Sequence, residues 1–128
     1  MKVSGLVPAY NEEENISEVI SRLKAINIVP IIIDDGSHDK THQIARENGA
    51  VVLRHEKNMG KGEAIKTGLQ YVLKNYPEVE HIVLIDADMQ YPPEEAARLL
   101  EPLQEGEADL VTGYRDWATV PYRHRFGN

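Results

Sequence analysis

The sequence predicts an open, doubly wound α/β fold whose mostly parallel sheet has the strand order 3-2-1-4. Three observations predict it. Short β-branched runs alternate with segments of helical periodicity, and the runs are continuously apolar, as in strands covered on both faces. The residues richest in chemistry cluster where those runs end, which is where open parallel sheets bind ligands. Repeated strand–helix–strand units then require parallel pairing with right-handed crossovers.

Taken in order, residues 3–8 read as the first strand. Asn11 is placed to cap a helix over residues 12–26, with Glu12, Glu13 and Glu14 suiting its positive end and Ile16, Val19, Ile20 and Leu23 forming its apolar stripe. Residues 29–34 are the second strand. Asp35, Gly36 and Ser37 make a turn, and a short helix over 41–48 ends at Gly49. Residues 50–54 are the third strand, and 55–60 a loop. A helix over 61–74 turns Ala64, Ile65, Leu69, Val72 and Leu73 to one side. Residues 81–86 are the fourth strand. Pro92 and Pro93 open a further helix that Pro102 ends or kinks, and 109–112 is a fifth strand.

At 128 residues the chain is expected to form one domain over 1–128. An apolar fraction of 41% fits a folded protein, and no stretch approaches the ~20 apolar residues of a membrane span. No basic region followed by an apolar run marks a signal peptide. With no cysteine there is no disulfide framework and no thiolate metal site, which is compatible with a cytoplasmic setting. The formal charge of −7 argues against nucleic acid as a partner. It leaves room for a small phosphorylated ligand, because a carboxylate-held dication reverses the local field.

The strongest cluster is Asp86-Ala87-Asp88-Met89-Gln90, leaving an aliphatic strand. Its oxygen donors at alternate positions suit magnesium or manganese, with positions left for substrate phosphates. Asp-x-Asp alone fits a solvated turn equally well; the place at a buried strand's end, with Gln90 two residues on, favours the cation. In the second cluster, Ile33 through Thr41, Asp35 stands at a strand end where a carboxylate accepts from ribose hydroxyls or a base N–H. Asp39 and Thr41 read as helix caps. The loop Asn58-Met59-Gly60-Lys61-Gly62 is not a P-loop, since no Ser or Thr follows the lysine. Its glycines fit either a phosphate-facing loop or close helix–strand packing with Lys61 at the surface. Arg115, Arg123 and Arg125 offer phosphate-matching forks, the last two fitting a solvated basic tail just as well. His38 and His42 read as surface residues.

The segments Pro8-Ala9-Tyr10-Asn11-Glu12-Glu13, Asp34-Asp35-Gly36-Ser37 with Asp39 and Thr41, Asn58 with Gly60-Lys61-Gly62, and Asp86 to Gln90 with Pro92-Pro93-Glu94 together resemble glycosyltransferase family 2. Within it the chain is most similar to the polyprenyl- or dolichyl-phosphate mannosyl- and glucosyltransferases. The resemblance implies a GT-A fold and inverting transfer of a hexose from a GDP- or UDP-sugar, with Mg2+ or Mn2+. It implies that Pro8, Tyr10, Glu12 and Asp35 contact base and ribose, with Ala9, Ile33, Lys61 and Ala87 in the same donor site. Asp86 and Asp88 would hold ribose, diphosphate and metal, with Gln90 a further ligand. Asp88 and Arg115 would serve the transfer itself, and Arg123 and Arg125 an acceptor phosphate. The acceptor implied is a lipid phosphate at the cytoplasmic face of a membrane, whose second pKa of about 6 leaves it ionised without a general base. The acceptor-binding half that family members carry is expected to lie outside this chain.

Two rivals remain. Asp-x-Asp after an apolar strand also resembles haloacid-dehalogenase-type phosphatases, with Asp86 as nucleophile, although those carry it on their first strand. The other is a nucleotide-sugar-binding module without catalysis.

Overall fold

A computed structural model describes residues 3–89, 92–95 and 110–112. Five strands, β1 (Val3–Ala9), β2 (Ile28–Asp34), β3 (Val51–Arg54), β4 (His81–Leu84) and β5 (Leu110–Thr112), form one sheet in the order β3-β2-β1-β4-β5. Every pairing is parallel, and β1 is central, with Ala9 beside Asp34 on one side and Leu6 beside Leu84 on the other. The predicted 3-2-1-4 order is therefore present, extended by β5 beyond β4. The fourth strand stops at Leu84 rather than reaching Asp86, although Ile85 N still donates to Leu6 O at 2.9 Å.

Alternate strand residues point to opposite faces, so a continuously apolar strand must be covered twice. Ile28 and Ile32 face α1 (Ile16–Ala25) and α2 (Thr41–Glu47), packing with Ile16, Val19, Ile20, Leu23 and Ala45. Leu6, Ile31 and Ile33 face α3 (Lys61–Asn75), packing with Ala64 and Val72. These side chains are nearly all solvent-free, and each Val, Leu or Ile among them contributes about 1.5–3 kcal/mol by burial.

Two local expectations need correction. The first helix begins at Ile16, not Glu12, because Asn11 takes a left-handed φ of 54° and the Glu12 carbonyl starts the turn by accepting from Asn15 N and Ile16 N. Leu73 lies on the solvent side of α3, 75% exposed, since Ala64, Gly68 and Val72 already define its buried stripe. The helix expected after Pro92-Pro93 falls mostly outside the described residues.

Candidate functional site at the strand ends

From β1 the chain steps outward through β2 to β3, then returns to the other side of β1 for β4. The loops after β1 and β4 therefore diverge, and a crevice opens between them. It has a volume of about 340 Å³ and is lined by Pro8, Ala9, Tyr10 and Glu12 after β1, Asp35 after β2, Asn58, Gly60, Lys61 and Ala64 at the start of α3, and Asp86, Ala87 and Asp88 after β4. Nine of the residues expected at a donor site thus meet in one place.

Ile33 does not join them. Its side chain is fully buried between the sheet and α3, because its pleat position points into that layer. Gln90, Arg115, Arg123 and Arg125 lie outside the described residues.

The loops that shape the crevice are sewn to each other by side chain–backbone hydrogen bonds. Asn11 N donates to Ser37 Oγ at 2.8 Å, and Asn11 Oδ1 accepts from His38 N at 2.9 Å. Glu12 N donates to the buried Thr41 hydroxyl at 2.8 Å, and Glu13 N to Asp39 Oδ2 at 3.2 Å. Asp39 also accepts from Thr41 N at 2.9 Å, but the N-cap of α2 is Lys40 and no side chain caps it. Asp39 therefore closes the turn before the helix and ties it to the neighbouring loop instead of taking the capping role expected of it. Burial would raise the Asp39 carboxyl, but the bonds from Thr41 and Glu13 outweigh it and hold it below the usual value. Asp34 is fully buried and turns its Oδ1 to Ser37 N at 3.0 Å, which shapes the Asp-Gly-Ser turn.

Asp35 is the most constrained group. Its side chain is 6% exposed. Oδ1 accepts from Met59 N at 2.9 Å and lies 2.7 Å from His55 Nδ1, while Oδ2 accepts from Gly60 N at 2.8 Å. Burial pushes the carboxyl up, yet these hydrogen bonds prevail and hold it below the usual carboxylate value. An ionised carboxylate only accepts, so His55 Nδ1 carries a proton toward it. The ring's Nε2 lies 2.8 Å from Thr67 Oγ1 on α3, which fixes its orientation.

On the other side of β1, Lys61 Nζ stands 2.8 Å from Asp86 Oδ1. Gly60 has a φ of 102°, which only glycine adopts readily, and a side chain on Gly60 or Gly62 would meet nothing within 4 Å. The glycines therefore do not serve close helix–strand packing. Asp35 and Asp86 follow strands on opposite sides of β1, two strand spacings or about 10 Å apart.

His38 is exposed, with its ring edge-on to Tyr10 at 6.4 Å. His42, expected at the surface, is half-buried, and burial together with Arg46 and Arg54 lowers its pKa. His55 and Thr67 were not singled out from the sequence, whereas Asn58, quoted there with the glycine loop, does line the crevice. His55 directly follows β3, so the strand-end rule that found the other clusters would have found it too.

An all-parallel α/β sheet with a carboxylate-bearing crevice at its switch point defines an open α/β domain of the kind that takes ligands at its strand ends. The pattern that describes Glycosyl transferase family 2 matches residues 4–127, and the chain belongs to that family. It is 34% identical over 123 residues to dolichol-phosphate mannosyltransferase of Pyrococcus furiosus, covering 90% of this chain and 33% of that protein. It is 31% identical over 146 residues to UDP-N-acetylglucosamine–dolichyl-phosphate N-acetylglucosaminyltransferase of Methanococcus voltae, covering 96% and 57%. Among solved structures it is similar to glucosyl-3-phosphoglycerate synthase from Mycobacterium tuberculosis in complex with Mn2+, UDP-glucose and phosphoglyceric acid. That likeness has a TM-score of 0.69 and 30% identity, over 83% of this chain and 40% of that one. The fold is thus GT-A, and the chain spans about half or less of the length of these proteins. Family membership leaves the haloacid-dehalogenase comparison without support.

Proposed function

We propose that this chain is the donor-binding part of an inverting, divalent-cation-dependent glycosyltransferase that moves a hexose from a GDP- or UDP-sugar to a polyprenyl phosphate. The observation that carries the reading is the single crevice with an ionised, loop-held Asp35 on one side of β1 and Lys61, Asp86 and Asp88 on the other. In this reading Asp35 addresses the base, the wall of Pro8, Ala9 and Tyr10 covers base and ribose, and the diphosphate lies toward Lys61 and Asp86. Glu12 and Asp86 then accept ribose hydroxyls.

The donor set fits a hard cation, since oxygen ligands are the only ones offered and the Lys61 ammonium already stands against Asp86. Among the described residues no cluster of three or more His, Asp or Glu could hold a metal by itself. Asp86 and Asp88, with Gln90, would therefore share Mg2+ or Mn2+ with the donor's phosphates, as such ions commonly are bound. When bound, the cation supplies charge neutralisation for the leaving diphosphate.

The chain's own residues bind and orient. With the sugar held, an ionised phosphate oxygen of the acceptor attacks the anomeric carbon as the bond to the nucleoside diphosphate breaks, inverting that centre. Lys61 and Arg115 stabilise the departing charge, and Asp88 orients the donor for attack. Arg123 and Arg125 would meet the acceptor phosphate. The acceptor class is supported by the lipid-phosphate relatives. Contact with such an acceptor is proposed at a membrane face; among the described residues no helix is long and apolar enough to cross a membrane.

Calorimetric titration of UDP-glucose, UDP-GlcNAc and GDP-mannose, each with manganese and with EDTA, tests the reading. Binding of one donor that EDTA removes is the expected result. Absence of binding for all three overturns it.

A further inference from the structure

The hydrogen-bond count at Asp35 carries one step more, which rests on the donor-site reading above. An ionised carboxylate has about four acceptor positions. Met59 N and His55 Nδ1 take both on Oδ1, and Gly60 N takes one on Oδ2. One acceptor is left, on Oδ2. We propose that His55 and the amides of Met59 and Gly60 set the base specificity of this site by leaving Asp35 a single acceptor, matched to the one imide N–H of uracil. Of the GDP- and UDP-sugars proposed above, this selects the uridine diphosphate sugar.

The competing bases fail for separate reasons. Guanine presents two adjacent donors on its Watson–Crick edge, N1–H and N2–H, which suit a carboxylate with both oxygens open. Here Oδ1 is filled, so one guanine donor faces an oxygen that cannot accept it, inside a crevice where an unpaired donor is costly. Cytosine differs from uracil chiefly in carrying a lone pair at N3 and an amine at C4, and that lone pair would meet the ionised Asp35. His55 is a positioning residue here: it acts through Asp35, is itself 11% exposed, and is held by Thr67 on its far side.

The test is calorimetry on the 128-residue chain with UDP, CDP and GDP, all with manganese. One hydrogen bond to a charged group corresponds to about tenfold to a hundredfold in affinity. UDP is expected to bind at least about tenfold more tightly than either rival, and N3-methyl-UDP should fall to the level of CDP. Equal or tighter binding of GDP, or full affinity for N3-methyl-UDP, overturns the specificity while leaving a nucleotide site in place. Failure of all three nucleotides overturns the donor site and this inference with it. Two variants then address His55. His55→Ala reopens an acceptor on Oδ1, so the UDP-over-GDP preference should drop by about tenfold. His55→Asn, which returns an N–H near the Nδ1 position, should restore it. A preference unchanged in His55→Ala overturns the role given to His55.

Discussion

Replacing Asp35 by Asn keeps the shape of the side chain and removes its charge, so the loss can be worked from the donors that face it. Asparagine offers one acceptor atom and one donor group. If the amide oxygen keeps His55 and Met59, its NH2 meets the Gly60 N–H donor to donor and the 2.8 Å bond is lost. The two retained bonds become neutral. Hydrogen bonds to charged groups contribute about 1.5–3 kcal/mol against about 0.5–1.5 for neutral ones, so the variant should lose about 3–5 kcal/mol. The side chain is 6% exposed, so solvent screening takes little from this. In a chain of 128 residues the change corresponds to roughly 11–19 °C in Tm. Urea unfolding at neutral pH measures it, and a loss below about 1 kcal/mol refutes the hydrogen-bond argument. The pH dependence gives an independent check. The folded Asp35 carboxyl lies below its ordinary value, so its stabilisation is full above the unfolded pKa of about 3.9 and disappears as pH falls through the folded value. The gap between wild type and variant should therefore close below about pH 4. A gap that stays constant down to acid unfolding contradicts the assigned charge.

Three further outcomes follow from the same geometry. Gly36 has a φ of 78°, and a Cβ there would lie 2.5 Å from the Lys57 carbonyl carbon and 2.6 Å from Asn58 N, so Gly36→Ala should cost about 3 kcal/mol in thermal unfolding; a change under about 1 kcal/mol means the loop yields freely. Thr41→Val removes the hydroxyl that accepts from Glu12 N at 2.8 Å and should cost about 1–2 kcal/mol, and unaltered urea stability would show that this tie is not needed. Asp88→Ala should abolish the manganese-dependent part of donor binding by calorimetry, and equal affinity with manganese and with EDTA at the wild-type level would remove Asp88 from the proposed cation site.

Both helical layers and the crevice's main side chains were legible because they depend on local patterns, and the sheet order because it is the one that brings the loaded strand ends to one crevice. Ile31, Ile32 and Ile33 in succession announce a strand covered twice, and the acidic residues just past β2 and β4 announce the ligand edge. What the sequence could not say was which group would face which. Lys61 and Asp86 are 25 residues apart, His55 and Asp35 20 apart, and Asn11 and Ser37 26 apart. No spacing rule pairs them, because their meeting depends on strand order and register. Ile33 shows the same limit: one residue before the loop, the pleat sends its side chain into the core. The start of α1 was misplaced for a related reason, since the Asn11 side chain that reads locally as a cap is used to hold the loop before α2. The sequence alone determined an α/β domain of this family with its carboxylates at the strand ends. Only the tertiary structure decided that Asp35 has most of its acceptors already filled, because a hydrogen bond between distant loops exists only once the sheet has brought them together.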